Sequence, residues 1–137
     1  MTATARIDLI FSTDRFNLSA PREYFINECC YGDDAARWLV ERLRARALTA
    51  TEPDQEDWGW YFDAQCNGEA YFVGVGGNRD DETSNSNRGE WRLMVQKHRT
   101  LWEKLSGANR LSEHDDFIRI LKEIVSRDPG LQLVGTE

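Results

Sequence analysis

The fold is decided by Trp58-Gly-Trp-Tyr-Phe-Asp-Ala-Gln-Cys66, Asn67-Gly68 and Glu69-Ala-Tyr-Phe-Val-Gly-Val-Gly76. Two runs rich in aromatic and β-branched residues flank Asn67-Gly68, the pair that a two-residue type I′ turn favours. A hairpin with this turn has one register that gathers bulky side chains on a single face. That register predicts four facing pairs: Cys66 with Glu69, Ala64 with Tyr71, Phe62 with Val73, and Trp60 with Val75.

Outward from the hairpin, the segment 90–97 resumes strand alternation, with Trp91, Leu93 and Val95 on one side. The three strands are predicted to form a meander over residues 58–97. The polar segment 77–89, between the second and third strands, is predicted to be a loop.

Helices are predicted on both sides of the meander. One covers residues 33–47 with Asp33 as its N-cap, and a short one covers 98–106 and ends at Gly107. A third starts at a capping box over residues 112–115. With short strands near residues 7–11 and 131–134, the sequence predicts one α+β domain over 1–137. Its small, mainly antiparallel sheet of three to five strands would pack its aromatic face against two or three helices.

The net charge of the chain indicates which kinds of partner it can bind. The chain has 17 Lys and Arg residues against 24 Asp and Glu residues, a net charge of −7. That surface disfavours nucleic acid and membranes and favours a partner with a basic surface. No apolar run approaches the roughly 20 residues that span a bilayer, and no secretion signal is evident. Cys29, Cys30 and Cys66 are not a disulfide framework, so a cytoplasmic protein with reduced thiols is expected, and the role of these thiols stays open.

Two acidic segments are the candidate partner-binding sites. The first precedes a Trp-x-Trp motif, and the second lies in the loop 77–89. Carboxylates steer a basic partner and an exposed Trp anchors it. The alternative is a solvated segment whose Trp58 and Trp60 share one face and are buried in the core. The predicted partner-binding residues are Glu52, Asp54, Glu56, Asp57, Trp58, Asp80, Asp81 and Glu82.

No spacing in the sequence indicates catalysis, a metal site or a cofactor. Cys29 and Cys30 have no local signature with a histidine, and the acidic loop lacks the positions of a calcium loop. The glycines at 74–77 are not followed by a helix that could bind phosphate. No catalytic residue, metal ligand or cofactor is therefore predicted, and an enzyme is the less favoured class.

The leading hypothesis is a non-enzymatic acidic module that neutralises or inhibits a basic partner, of the immunity, antitoxin or anti-defence type. The alternative is a small-molecule-binding or enzymatic domain with a pocket between the sheet and the helices. Tyr61, Phe72, Gly74 and Gly76 would line that pocket if the second face of the sheet is uncovered. A homo-oligomer joined at a sheet edge is a third reading that the sequence leaves open.

Overall fold

The computed structural model of the chain describes residues 3–4, 6–28, 30–80 and 86–137. Its fold is mixed α+β, with one large antiparallel sheet and a separate two-stranded one. In chain order the elements are β1 (Ala3–Thr4), β2 (Arg6–Thr13), α1 (Asp33–Ala45), β3 (Thr49–Ala50), β4 (Asp54–Glu56), β5 (Gly59–Cys66), β6 (Glu69–Arg79), β7 (Gly89–Lys97), α2 (Leu101–Ser106), β8 (Leu111–Ser112), α3 (Asp116–Arg127) and β9 (Gln132–Thr136).

The central hairpin has the predicted register. β5 and β6 pair with Trp60 opposite Val75 and Phe62 opposite Val73. Asn67 and Gly68 form the turn with φ of 53° and 80°. A type I′ turn requires positive φ at both central residues, which is why Asn-Gly is preferred there.

The sheet is larger than the predicted three to five strands. Within the described residues it has seven strands in the order β3-β5-β6-β7-β2-β9, with β4 also paired to β5. β3 and β4 are two and three residues long, too short to show alternation. β6 also runs on to Arg79, which shortens the predicted loop.

One face of the sheet carries the hydrophobic core. α1 and α3 cover this face, and their apolar stripes join the buried strand residues in one cluster. The rings of Tyr71 and Phe117 stack at 4.4 Å between β6 and α3. The largest fully buried aromatic side chains are Trp91, Phe11, Phe62 and Phe117.

The capping box lies at α2 and not at α3. The Thr100 hydroxyl accepts from the Glu103 amide, the Glu103 carboxylate accepts from the Thr100 amide, and Gly107 ends the helix at φ 75°. α3 begins after Asp115, because the predicted box residue Ser112 pairs in β8 and accepts from the amide of His114. Among the described residues, none of the helices combines the length and apolar character needed to cross a membrane.

Candidate protein-binding surface

The first acidic segment folds as an edge strand. In the β4–β5 pairing, Asp54 lies opposite Tyr61 and Glu56 lies opposite Gly59. Directly opposite residues in an antiparallel pair share a face, so Asp54 lies on the side of Tyr61, away from the core. We call this side the open face. It carries Tyr61, Phe72, Gly74, Gly76 and Met94.

A loop from the N-terminal part of the chain packs beside β4. The Gln55 side-chain oxygen accepts from the Ile26 amide at 2.9 Å, and its nitrogen donates to the Tyr24 carbonyl at 2.8 Å. The Asn27 side chain donates to the Asp57 carbonyl at 3.0 Å. These bonds hold Tyr24 and Ile26 next to the acidic strand, where they are 51% and 56% exposed.

Trp58 and Trp60 lie on opposite faces, so the expectation that they share one is wrong. Trp60 is in the core and its Nε1 donates to the Cys30 carbonyl at 2.9 Å. Trp58 is 44% exposed and its ring lies over Gly74 on the open face. β5 begins only at Gly59, whose backbone approaches the Val75 carbonyl too closely for a side chain. Trp58 therefore belongs to the β4–β5 turn and does not follow the strand alternation.

The open face beside β4 has a negative potential. The pKa of the Tyr61 phenol is raised, chiefly by the charge of Asp54 and then by burial, Glu56 and Asp63. A phenolate would be repelled by these carboxylates, whereas a cation at the same place would be attracted. The carboxylates of Asp54 and Glu56 lie on the open-face side of the edge strand β4, whereas Tyr24 and Ile26 lie on its other side, bonded to Gln55, which is opposite Trp60. We call the two sides of this strand together the acidic–aromatic patch: Tyr24, Ile26, Asp54, Glu56, Asp57 and Trp58.

The other predicted partner-binding residues fall outside this patch. Glu52 is paired with Arg44 at 3.1 Å between Oε1 and Nη1. Asp80 follows β6, and its carboxylate lies 3.9 Å from Arg88 Nε. A cleft of about 330 Å³ lies between the patch and the end of β6, lined in part by Asp57, Trp58 and Arg79. The positions of Asp81 and Glu82 lie outside the described residues.

The predicted pocket residues Tyr61, Phe72, Gly74 and Gly76 lie on the open face and not between the sheet and the helices. The space between sheet and helices is filled by buried side chains, whereas a groove of about 620 Å³ lies on the open face. Phe72 and Gly76 line it together with Trp58, Met94 and Arg92. The Tyr61 ring stacks on Phe72 at 5.5 Å, and Gly74 lies under Trp58.

One buried carboxylate, Asp8, lies on the open face. It is 2% exposed and contacts Arg92 Nη1 at 2.7 Å and Arg6 Nε at 2.9 Å. Arg92 also contacts Glu137 at 3.1 Å, and these carboxylates raise the pKa of its guanidinium. Two guanidinium groups therefore contact the buried Asp8 carboxylate, an arrangement that stabilises the strands and does not resemble a proton-transfer pair.

The two described cysteines are both buried and free. Cys30 Sγ lies 3.3 Å from the Glu56 carbonyl and 3.4 Å from the Gly59 carbonyl, and burial raises the pKa of its thiol. Burial likewise raises the pKa of Cys66. A buried thiol with a raised pKa is a poor nucleophile. Cys29 lies outside the described residues.

Comparison of the chain with protein-family models, with curated proteins and with solved structures gives no match.

Proposed function

We propose that this chain is a non-enzymatic module that binds the basic surface of another protein through the acidic–aromatic patch. A stoichiometric inhibitor or neutraliser of the immunity, antitoxin or anti-defence type fits this description. The observation that carries the proposal is an edge strand, β4, with three exposed apolar side chains and three carboxylates on or beside its two sides. Within the described residues, no cation pairs with Asp54, Glu56 or Asp57, so these carboxylates are available to a partner.

The composition of the patch matches the energetics of protein interfaces. Exposed Trp and Tyr side chains supply most of the binding energy at such surfaces, and charged rims raise the association rate and the specificity. The patch is also ordered before binding, because Gln55 ties the loop that carries Tyr24 and Ile26 to β4. Less conformational entropy is then lost when a partner docks.

The groove on the open face supports a second candidate function, the binding of a small molecule. Its volume of about 620 Å³ lies within the range usual for ligand pockets. Phe72 and Met94 offer apolar contacts in its lining, and Arg92 lies there paired with Asp8 and Glu137. Trp58 borders both the groove and the patch, so the two candidates require separate tests.

Affinity capture with charge-reversed variants tests the leading proposal. The tagged chain captures a stoichiometric basic protein from its native lysate at low salt, and about 0.5 M salt releases it by screening. The variant Glu56→Lys/Asp57→Lys should weaken capture about tenfold or more. The matched control is Glu41→Lys/Glu113→Lys, which changes the net charge equally at two exposed positions away from the patch. If both variants lose partner capture equally, net charge alone explains the loss, and the patch is not a specific binding site.

Thermal shift with a metabolite panel tests the groove. A ligand that binds there raises the melting temperature of the wild type and of Glu56→Lys/Asp57→Lys equally. The shift should disappear in Phe72→Ser, which removes the apolar floor. A shift that depends on Glu56 and Asp57 and ignores Phe72 would exclude the groove as its site.

A further inference from the structure

The short helix α2 exposes its apolar side chains. Leu101, Trp102 and Leu105 are 73%, 76% and 74% exposed, and no residue of the helix is buried. They occupy positions i, i+1 and i+4, so they lie close together on one side of the helix. Scattered apolar side chains at a surface need no explanation, but three adjacent ones, including a Trp, indicate a contact surface.

This exposed helix is held in place. The reciprocal bonds of Thr100 and Glu103 fix its first turn. Arg99 crosses to its end and donates to the carbonyls of Glu103 and Ala108 at 2.8 and 3.0 Å. The apolar side chains therefore project from an ordered support, which fits a groove in a partner.

The helix is also the centre of a basic region. Residues 98–110 contain three Lys or Arg residues and one Glu, a net charge of +2, so the rest of the chain carries −9. The preceding Lys97 is not counted, because its side chain is 6% exposed and paired with Asp115. Within the described residues, Lys104 and Arg110 have no carboxylate partner. The exposed side chains, together with the half-buried Arg99, form what we call the α2 patch: Arg99, Leu101, Trp102, Lys104, Leu105 and Arg110.

The structure thus holds two surfaces that are complementary to each other. Both expose a Trp with other apolar side chains, one amid carboxylates and the other amid cations. We propose that the α2 patch of one copy docks head to tail on the acidic–aromatic patch of a second copy. The docking uses the same surface as the proposed function, and it occurs whether or not a basic partner exists.

A second copy fits the α2 patch better than a lipid surface does. An anionic bilayer that attracts the +2 segment repels the rest of the chain, which carries −9. The acidic–aromatic patch supplies both the opposite charge and the apolar contacts. The groove and the cleft on either side of Trp58 also give the concave shape that a projecting Trp102 requires.

The size of the two patches predicts weak association. Each exposes three large apolar side chains, well under the roughly 800 Å² per partner of a stable complex. The contact is heterologous, so copies add end to end and do not close into a symmetric dimer. Because the basic partner would compete for the same surface, binding of that partner disperses the assembly.

Sedimentation velocity of two variants, alone and mixed, tests the head-to-tail contact. Trp102→Asp/Leu105→Asp removes the α2 patch at exposed positions, and Glu56→Lys/Asp57→Lys removes the other half. At low salt the wild type shows concentration-dependent association from about 10 µM upward, as expected for a small interface. Each variant alone stays monomeric. Their equimolar mixture forms dimers and nothing larger, because one complementary pair of patches remains intact.

Four results would overturn this inference. Dimers of Glu56→Lys/Asp57→Lys alone would indicate a symmetric contact between α2 patches, and a monomeric mixture would exclude the pairing. If Glu41→Lys/Glu113→Lys also loses self-association, net charge and not contact between the two patches explains the loss. Flotation of a monomeric wild type with phosphatidylserine vesicles, abolished by Trp102→Asp/Leu105→Asp, would assign the α2 patch to lipid. Circular dichroism verifies that each variant is folded.

The same variants separate this inference from the proposed function. Trp102→Asp/Leu105→Asp leaves capture of the basic partner unchanged while abolishing self-association. If Glu56→Lys/Asp57→Lys loses self-association and keeps partner capture, the proposed function fails and the head-to-tail contact stands.

Discussion

Alanine at Gly77 is expected to cost about 2–3 kcal/mol of the free energy of unfolding, and alanine at Gly74 less than about 1 kcal/mol. The steric conflict is similar at both positions of β6. An added Cβ would lie 2.7 Å from the Trp91 ring at Gly77 and 2.8 Å from the Trp58 ring at Gly74. The neighbours differ in freedom, because Trp91 is fully buried against Phe16 and Trp58 is 44% exposed.

Urea unfolding followed by far-UV circular dichroism measures the difference. With a denaturant slope of about 2 kcal/mol/M, Gly77→Ala should lower the midpoint by about 1 M or more and Gly74→Ala by less than about 0.5 M. Gly135→Ala is the matched control, since it is also in a strand and no atom lies within 4 Å of its added Cβ. Its midpoint should rise slightly, because alanine restricts the unfolded chain.

Equal losses at Gly74 and Gly77 would refute this reasoning, since they would mean that the Trp58 ring is held as firmly as Trp91. A smaller loss at Gly77 than at Gly74 would contradict the burial on which the estimate depends. The emission spectrum adds an independent check. Gly74→Ala should shift it to longer wavelength as the Trp58 ring moves into water, and the shift should be absent when Trp58 is replaced by Phe.

Three further predictions concern ionisable groups. Arg15 lowers the pKa of Asp128 below its usual 3.8, so their ion pair stabilises the fold above that pH and is lost as pH falls through the lowered pKa. Asp128→Asn should lower the free energy of unfolding by about 1 kcal/mol at neutral pH. The urea midpoints of the variant and the wild type should become equal only in acid, where Asp128 is protonated. The Lys97 side chain is 6% exposed and lies 3.1 Å from Asp115, so Lys97→Met should lower the free energy of unfolding by about 3 kcal/mol. Adding Asp115→Asn to that variant should restore part of the loss, because no carboxylate is then left unpaired. If the losses of the two single variants simply add in the double variant, the two residues are not coupled. Alkylation of Cys30, measured by peptide mass spectrometry, should require denaturant, because the thiol is buried and burial raises its pKa. Labelling of the folded protein at the rate of a free thiol would show that Cys30 is accessible.

The elements that the sequence predicts correctly are those with local signals. Asn67-Gly68 determines the turn and, with it, the register of β5 against β6. The short edge strands β3 and β4 have no such signal, because their pairing depends on where β5 already lies. The count of strands was therefore too low, although the central meander and the covering helices were predicted.

The residues of the candidate site likewise fall into a set that the sequence predicts and a set that it does not. Asp54, Glu56, Asp57 and Trp58 are adjacent in sequence, so their clustering could be read from the acidic run. Tyr24 and Ile26 come to the same surface through hydrogen bonds to Gln55, about 30 residues away. A polar side chain that ties two segments together leaves no periodic pattern in the sequence, which is why that half of the patch was missed.

The exposure of Trp58 does not result from a lack of core. Full burial of a large apolar side chain is worth about 1.5–3 kcal/mol, and the next alternate residue, Trp60, is buried. Gly59 changes the course of the backbone between them, and Gly74 leaves space under the ring. Gly59 and Gly74 thus keep Trp58 half-exposed beside Asp54, Glu56 and Asp57, which have no cation partner within the described residues. A fold selected for stability alone would not need this arrangement.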